Sequence, residues 1–171
     1  MGHNYYSPLF LKLFNLCDRI AIMNEGKIEQ IGTAEEIYEH PSTRFVADFI
    51  GDTNFVEGTV VDRDGRISAI DSNGLSFWAG DEGQFNIGDP VTLCLRPEGI
   101  LIGEAAKGCD TIHTARIINI IYSGASRRCM VELPNRTRLK ADLDARATAD
   151  FHVGEKTSVG WYAGDGTLLG S

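Results

Sequence analysis

The stretch "PVTLCLRPEGILI", residues 90–102, holds two short apolar runs separated by Arg96, Pro97 and Glu98. Runs of this length that are rich in valine, threonine, leucine and isoleucine and bounded by glycine or proline are typical of β-strands. The tripeptide between them then lies at the end of a strand, where it fixes a turn. The stretch therefore predicts strand, turn and strand.

Similar runs recur from Gly51 to the C terminus, separated about every 8–12 residues by glycine, aspartate and asparagine, which favour turns. The predicted strands are 54–62, 66–71, 75–80, 90–98, 99–103, 113–124, 126–134, 136–143 and 157–164. The ending "YAGDGTLLG" is interpreted as turns. A series of short antiparallel strands favours a closed or nearly closed barrel, or a sandwich.

The residues before Gly51 have a different pattern. Two extended runs, "RIAIM" and "IEQIG", flank the turn "NEGK" and predict a β-hairpin. Thr33 and Glu36 have the spacing of a capping box, which predicts a short helix ending at Pro41. Ser42 is expected to begin a second helix that Gly51 ends. The apolar stripe of that helix is predicted at Phe45, Val46, Phe49 and Ile50.

Composition excludes several functional classes. The chain has 171 residues, with 16 basic and 24 acidic side chains and a net charge of −8. This balance argues against nucleic acid as a partner. The scattered Cys17, Cys94, Cys109 and Cys129 lack the spacing of a zinc site. Cys94 and Cys129 lie in apolar strand-like runs and are interpreted as reduced core residues of a cytosolic protein. The apolar run before Leu16 is too short for a membrane span and lacks the features of a signal peptide.

The sequence contains no phosphate-binding loop. Nucleotide hydrolysis usually requires GxxxxGK followed by serine or threonine, and no such stretch occurs. There is also no aliphatic run ending in Asp-Glu that could hold a magnesium-binding carboxylate. We therefore expect no catalytic, cofactor-binding or metal-binding residue in this chain.

The stretch "DRIAIMNEGKIEQIGTAEEIYEHPSTRFVADFIGDTNF", residues 18–55, closely resembles the end of the ATPase domain in the ATP-binding subunits of bacterial ABC importers. The polyamine (spermidine/putrescine) type is most similar, with ferric-iron, sulfate and maltose importers as relatives. In that family an accessory β-domain called TOBE follows, similar to an oligonucleotide/oligosaccharide-binding (OB) barrel.

The later motifs agree with this resemblance. "VTLCLRPEGILI" resembles the TOBE strand that runs into Arg96, Pro97 and Glu98. "ARIINIIYSGASRRCMVEL" is similar to its central strand pair, with a turn at Tyr122 and Gly124, and "GEKTSVGWYAGDGTLLG" is similar to its closing strand with Trp161. These six residues are the candidate structural or regulatory sites that the resemblance implies.

The resemblance implies a division into three parts. Residues 1–15 are interpreted as an extension, 16–51 as the hairpin and two-helix end of an α/β ATPase domain, and 52–171 as a mainly β, OB-like TOBE domain. Pro8 stands where the family has a histidine that senses the γ-phosphate. ATP and magnesium would bind an ATPase core that we expect to be absent here.

The resemblance also implies a role. The leading hypothesis is a non-catalytic regulatory and dimerisation domain in import, which is cytoplasmic and, in the full-length subunit, peripheral to the inner membrane beside permease subunits. A second hypothesis is a stand-alone module that binds a polyamine or an oxyanion, and a third is retained ATPase activity. A homodimer is expected because the first part would leave apolar side chains uncovered: Ile20, Ile22, Ile37, Phe45 and Phe49.

Several residues admit two readings. Arg96 and Glu98 could contact a regulator, but a turn with an ion pair is favoured. A polyamine pocket could use Asp142, Asp144, Asp150 and Glu155 with Trp78, Trp161 or Tyr162, although solvated acids are the default. His40, His113 and His152 are interpreted as surface or interface residues. Arg116, Arg127 and Arg128, with Tyr122, superficially resemble an OB ligand face.

Overall fold

The computed structural model describes residues 18–81, 83–123, 126–144 and 151–170. It divides the chain into two units with a boundary between Asp52 and Thr53. The predicted extension, 1–15, and Cys17 lie outside the described residues. Within the described residues, no helix combines the length and apolar character that crossing a bilayer requires.

The first unit contains the predicted hairpin. Strands β1 (Ile20–Asn24) and β2 (Lys27–Gly32) pair in antiparallel fashion. Glu25 and Gly26 form their two-residue turn, with φ angles of 47° and 80°. Positive φ at both turn positions matches the right-handed twist of the strands, and this explains glycine at the second position.

Two short helices follow, α1 (Ala34–Glu39) and α2 (Arg44–Ile50). The predicted capping box is confirmed, because Glu36 N donates to Thr33 Oγ1 at 3.1 Å and Thr33 N donates to Glu36 Oε2 at 2.8 Å. Two of the four N–H groups that the start of α1 leaves without an intrahelical partner are thereby satisfied.

The predicted start of α2 is wrong by one residue. Thr43, not Ser42, is the N-cap, and its hydroxyl accepts from Val46 N at 3.2 Å. Ser42 instead donates its N–H to Gln30 Oε1 at 2.8 Å and its hydroxyl to the Glu29 carbonyl. Ser42 is therefore hydrogen-bonded to residues of β2 instead of capping the helix.

The predicted apolar stripe of α2 is only partly correct. Val46, Ala47 and Ile50 are buried, whereas Phe49 is 41% exposed and stacks on Phe45 with ring centroids 5.7 Å apart. Positions i, i+1 and i+4 face the core, and Phe49 lies off that face.

The first unit buries part of the apolar surface that we expected to be uncovered. Ile22 and Ile37 pack with Val46 and Ile50 in a small core of their own. That part of the prediction is wrong because the two helices fold back on one face of the hairpin. Large apolar side chains remain exposed on the hairpin strands: Met23, Ile28 and Ile31.

The second unit is built almost entirely of strands, as predicted. Its strands are β3 (Asn54–Asp64), β4 (Ile67–Ser72), β5 (Leu75–Gly80), β6 (Pro90–Leu95), β7 (Leu101–Ile102), β8 (Thr111–Ser123), β9 (Ser126–Glu132), β10 (Arg138–Asp144), β11 (Lys156–Trp161) and β12 (Gly166–Gly170). Among the described residues, short 3₁₀ helices lie between these strands at Pro97–Gly99, Gly103–Ala106 and Ala163–Asp165.

These strands form two structures rather than one. A closed barrel has the order β12-β5-β4-β3-β6, and a five-stranded sheet has the order β10-β9-β8-β11-β7. One apolar core serves both, since it joins barrel residues such as Phe77 and Leu93 to sheet residues such as Ile117 and Leu139. The barrel prediction is confirmed, but the sequence did not indicate the second sheet.

Strand β12 lies in the "GTLLG" stretch that was interpreted as turns, so this interpretation is wrong. It pairs with β6 over five residues and meets β5 in parallel at Thr167 and Gly80. Gly166 permits this closure, because a Cβ there would lie 2.9 Å from Leu93 Cδ1. The small residues that resemble a turn in the sequence allow two packed layers to approach closely.

Candidate functional site

The Arg-Pro-Glu turn connects the barrel to the sheet. Strand β6 ends at Leu95, and Arg96 precedes the 3₁₀ helix that begins at Pro97. Pro97 is buried and Glu98 is exposed. Arg96 Nη1 donates to Thr53 Oγ1 at 2.5 Å, so the guanidinium ties the turn to the residue preceding β3. The geometry gives Arg96 and Pro97 a structural role in this turn.

Trp161 lies in the shared core at the end of β11. Its side chain is fully buried, its Nε1 donates to the Trp78 carbonyl at 3.1 Å, and its ring stacks on Phe77 with centroids 5.7 Å apart. A ligand ammonium needs an accessible ring face for a cation–π contact. Trp161 offers none, which removes it from the polyamine pocket considered above.

Tyr122 lies at the far end of β8, where it is 71% exposed. The register places it opposite Arg127, while Ile121 is opposite Arg128. Successive residues of a strand point to opposite faces, so Arg127 and Arg128 project from different faces of the sheet. The three arginines therefore do not form a single cationic site with Tyr122. Gly124 lies outside the described residues.

The acidic residues proposed for a polyamine pocket are engaged locally where they are described. Arg128 Nε and Nη2 donate to the two carboxylate oxygens of Asp142, both at 2.6 Å. Glu155 accepts from His152 N at 3.1 Å. Asp150 and the side chain of Asp144 fall outside the described residues. Asp142 is thus neutralised by its neighbour on β9.

Asn54, which sequence reasoning missed, joins the barrel to the sheet. Its buried side-chain amide donates to the Lys140 carbonyl at 2.9 Å and accepts from Lys140 N at 2.7 Å. The amide also donates to the Leu95 carbonyl at 3.3 Å. A primary amide carries the same donor and acceptor as a peptide group. Asn54 therefore pairs with β10 much as an additional strand would.

Side chains from the sheet also form hydrogen bonds with backbone groups of β5. Trp78 N donates to Thr111 Oγ1 at 2.7 Å, and Trp161 bonds the Trp78 carbonyl as described above. His113 Nε2 lies 2.9 Å from the Ser76 carbonyl, and the ring contacts Phe77. Buried strand edges require partners. The half-buried His113 thus lies in the contact between barrel and sheet, not on an open surface.

Asp81, also missed, organises the loop after β5. Its buried carboxylate accepts from Ser68 Oγ at 2.7 Å, Gly83 N at 3.0 Å and Gln84 N at 2.9 Å, with Arg63 Nε at 3.6 Å. Burial raises its pKa, but these hydrogen bonds and the arginine charge together hold the pKa below its ordinary value of 3.8. The folded state therefore stabilises the carboxylate form.

We expect Asp81→Asn to lower the free energy of unfolding by about 1–3 kcal/mol at neutral pH, because an NH₂ group replaces a buried acceptor. A carboxyl group whose pKa is lower in the folded than in the unfolded protein stabilises the fold at pH values above its ordinary pKa. This stabilisation is lost as the pH falls through the pKa of the folded state. The difference from wild type should shrink below pH 3.8. Urea titrations against pH measure this, with the exposed Asp62→Asn as the control. A difference that grows on acidification would contradict it.

The described cysteines lie in the interior. Cys94, Cys109 and Cys129 are buried thiols, as predicted for Cys94 and Cys129. Burial raises the pKa of the Cys109 thiol, and nearby Asp110 and Asp165 raise it further. Burial also raises the pKa of the Cys129 thiol. A thiol with a raised pKa is a poor nucleophile. Across the described ranges, no three His, Cys, Asp or Glu side chains converge to hold a metal ion.

Comparison with known families and proteins identifies relatives for most of the chain. A TOBE domain model matches residues 93–169. The chain is 37% identical over 159 residues to a spermidine/putrescine import ATP-binding protein of Rubrobacter xylanophilus, with 91% of this chain and 41% of that protein covered. For the protein of the same description from Pseudomonas fluorescens, identity is 41% over 159 residues, with 87% and 39% covered. The chain thus spans about two fifths of these relatives' length.

One solved structure supports the fold. The cytoplasmic molybdate-binding protein ModG, with molybdate bound, superposes with a TM-score of 0.56 and 18% sequence identity. The superposition covers 67% of this chain and 94% of that one. The shared architecture, together with the TOBE match, confirms the OB-like β fold.

Proposed function

Residues 93–169 belong to the TOBE domain family, and from this premise we propose that the chain is a non-catalytic regulatory and pairing module of an importer's ATP-binding subunit. A polyamine is the proposed cargo class, because the relatives named above are spermidine/putrescine import proteins. The proposed partners are a second copy of the chain and membrane-embedded permease subunits. The proposed location is the cytoplasmic side of the membrane.

The observation that carries this proposal is the shared core of barrel and sheet. The residues that the resemblance singled out, Arg96, Pro97 and Trp161, lie in turns and in the core. The side chains of arginine, proline and tryptophan do not serve as the nucleophile or general base of a catalytic site. Such a rigid body suits a mechanical role, holding two subunits at a fixed distance. ATP and magnesium would bind elsewhere in a complete subunit.

We expect the purified chain to be a homodimer at micromolar concentration. The physical reason is the exposed apolar surface of the hairpin, where Met23, Ile28 and Ile31 are each about half exposed. Light scattering coupled to size exclusion measures the mass. A mass of twice 18.7 kDa supports pairing, whereas a mass equal to the monomer across the micromolar range would contradict it.

A second candidate function, binding of a small ligand, is favoured by the ModG likeness, because that protein was solved with molybdate bound. Calorimetric titration with molybdate, sulfate, spermidine and putrescine separates the two functions. A pairing module gives no saturable heat with any of the four. Saturable binding of one of them, by a chain that remains monomeric, would replace the leading proposal with the second.

A further inference from the structure

The outer face of the second sheet carries a row of charged residues across four strands. Residues directly opposite one another in antiparallel strands lie on the same face. The register places Lys156 opposite Arg116, Arg116 opposite Glu132, and Glu132 opposite Arg138. Three of these four side chains are cationic.

This row points away from the core. Three of its members, Arg116, Glu132 and Arg138, have buried neighbours in the sequence: Ala115, Ile117, Val131 and Leu139. Because side chains alternate along a strand, the row occupies the opposite face. Lys156, Arg116 and Arg138 are exposed.

The adjacent positions extend the row into a patch that we call the basic face. It comprises Lys156, Arg116, Glu132, Arg138, Lys140, Arg128 and Asp142. These five basic and two acidic side chains give a local charge of +3, on a chain whose net charge is −8. The sign of the face is therefore opposite to that of the molecule.

The two carboxylates of the basic face are already paired within it. Arg138 Nε contacts Glu132 Oε2 at 2.9 Å, and Arg128 holds Asp142 through two bonds. Arg116 donates to the neutral Gly154 carbonyl at 2.7 Å. The positive charge of Arg116 and Lys156 is thus not balanced by a carboxylate of this face.

We propose that the basic face docks an acidic segment of a partner protein. Neighbouring strands lie about 4.8 Å apart, so Lys156 and Arg116, whose charges no carboxylate of this face balances, lie about 5 Å apart. Carboxylates at positions i and i+4 of a helix, about 6 Å apart at Cβ, fit this spacing. Ile121 and Met130 lie on the same face and add apolar contact area.

The overall charge favours a protein segment over nucleic acid. A chain of net charge −8 repels a long phosphate backbone, whose field extends past the basic face to the rest of the surface. A short acidic segment meets only charges within a Debye length of about 8 Å at physiological salt. The proposal goes beyond the pairing role and does not depend on it.

Fluorescence anisotropy with a fluorescein-labelled oligoglutamate tests the proposal on the full chain at low ionic strength. We expect saturable binding that weakens with salt, and a loss of about tenfold or more in the double variant Arg116→Glu/Lys156→Glu. The matched control Lys27→Glu/Lys107→Glu makes the same charge change at exposed positions that are not members of the basic face. It should bind within about twofold of wild type.

Three results would overturn the proposal. The first is absence of oligoglutamate binding by wild type. The second is an equal loss in the control variant, since the attraction would then come from net charge alone. The third is a single-stranded oligonucleotide of equal charge binding as tightly as oligoglutamate, which would make the face a general polyanion site. Thermal unfolding of both variants verifies that each is folded.

Discussion

Replacing Trp161 by alanine should reduce the free energy of unfolding by about 3–5 kcal/mol, the range found when a buried aromatic side chain is deleted. The ring is fully buried and stacks on Phe77, and its Nε1 bonds the Trp78 carbonyl. The variant loses the packing and leaves that carbonyl without its partner. Urea unfolding followed by far-UV circular dichroism measures the effect.

The neighbouring Tyr162 supplies the control. Its side chain is 48% exposed, so Tyr162→Ala should change stability by no more than about 0.5–1 kcal/mol. If Trp161→Ala proved as mild as this control while abolishing binding of a small ligand, Trp161 would be a ligand residue and its structural assignment would be wrong.

The second large effect is expected at Asn54. Asn54→Ala removes both bonds to Lys140 and the bond to the Leu95 carbonyl. Each buried polar group left unsatisfied costs about 1–3 kcal/mol, so we expect a total loss of about 2–4 kcal/mol. The barrel and the sheet should also separate more readily, because this amide bridges them.

Asn135 provides a matched comparison for Asn54. Its amide makes one long-range bond, donating to the Ser72 carbonyl at 2.7 Å and thereby linking the β9–β10 turn to the end of β4, and it accepts locally from Thr137 N at 3.1 Å. Asn135→Ala should cost about 1 kcal/mol. Equal losses of stability at both positions would show that the pair of hydrogen bonds from Asn54 to β10 contributes no more than a single one.

Sequence patterns predicted the local structure well. The Thr33 and Glu36 pair fixed the start of α1, Gly26 marked the hairpin turn, and alternating apolar runs located most strands. Each of these signals involves residues only a few positions apart, so the interactions that stabilise the local structure can be inferred from the sequence pattern itself. The same strands and turns predicted a mainly β barrel or sandwich, and the family resemblance implied that it is OB-like.

Long-range features could not be predicted in this way. Asn54 bonds a residue 86 positions away, and in the sequence it is only the first residue of a predicted strand. Asp81 also resembles a solvated loop acid until Ser68 is placed beside it. Strand β12 is short and glycine-rich because it closes the barrel against Leu93. In each case tertiary contacts decide the role of the residue.

The candidate site shows the same limit. The resemblance singled out Arg96, Pro97 and Trp161, and the structure places them in a turn and in the core. Whether a residue such as Trp161 meets a ligand depends on its burial, which a motif does not specify. The basic face was also invisible, because its members are separated in sequence and meet only through strand register.

Amide hydrogen exchange tests the central claim, that barrel and sheet form one rigid body. The Lys140 N–H bonds the Asn54 side chain and the Trp78 N–H bonds Thr111, so both report directly on the contact between the two structures. If the barrel and the sheet form one rigid body, these two amides exchange only through global unfolding, with the same free energy of opening as the amides of the barrel strand β6. Exchange of Lys140 and Trp78 by a much lower-energy opening, while β6 stays protected, would contradict the account.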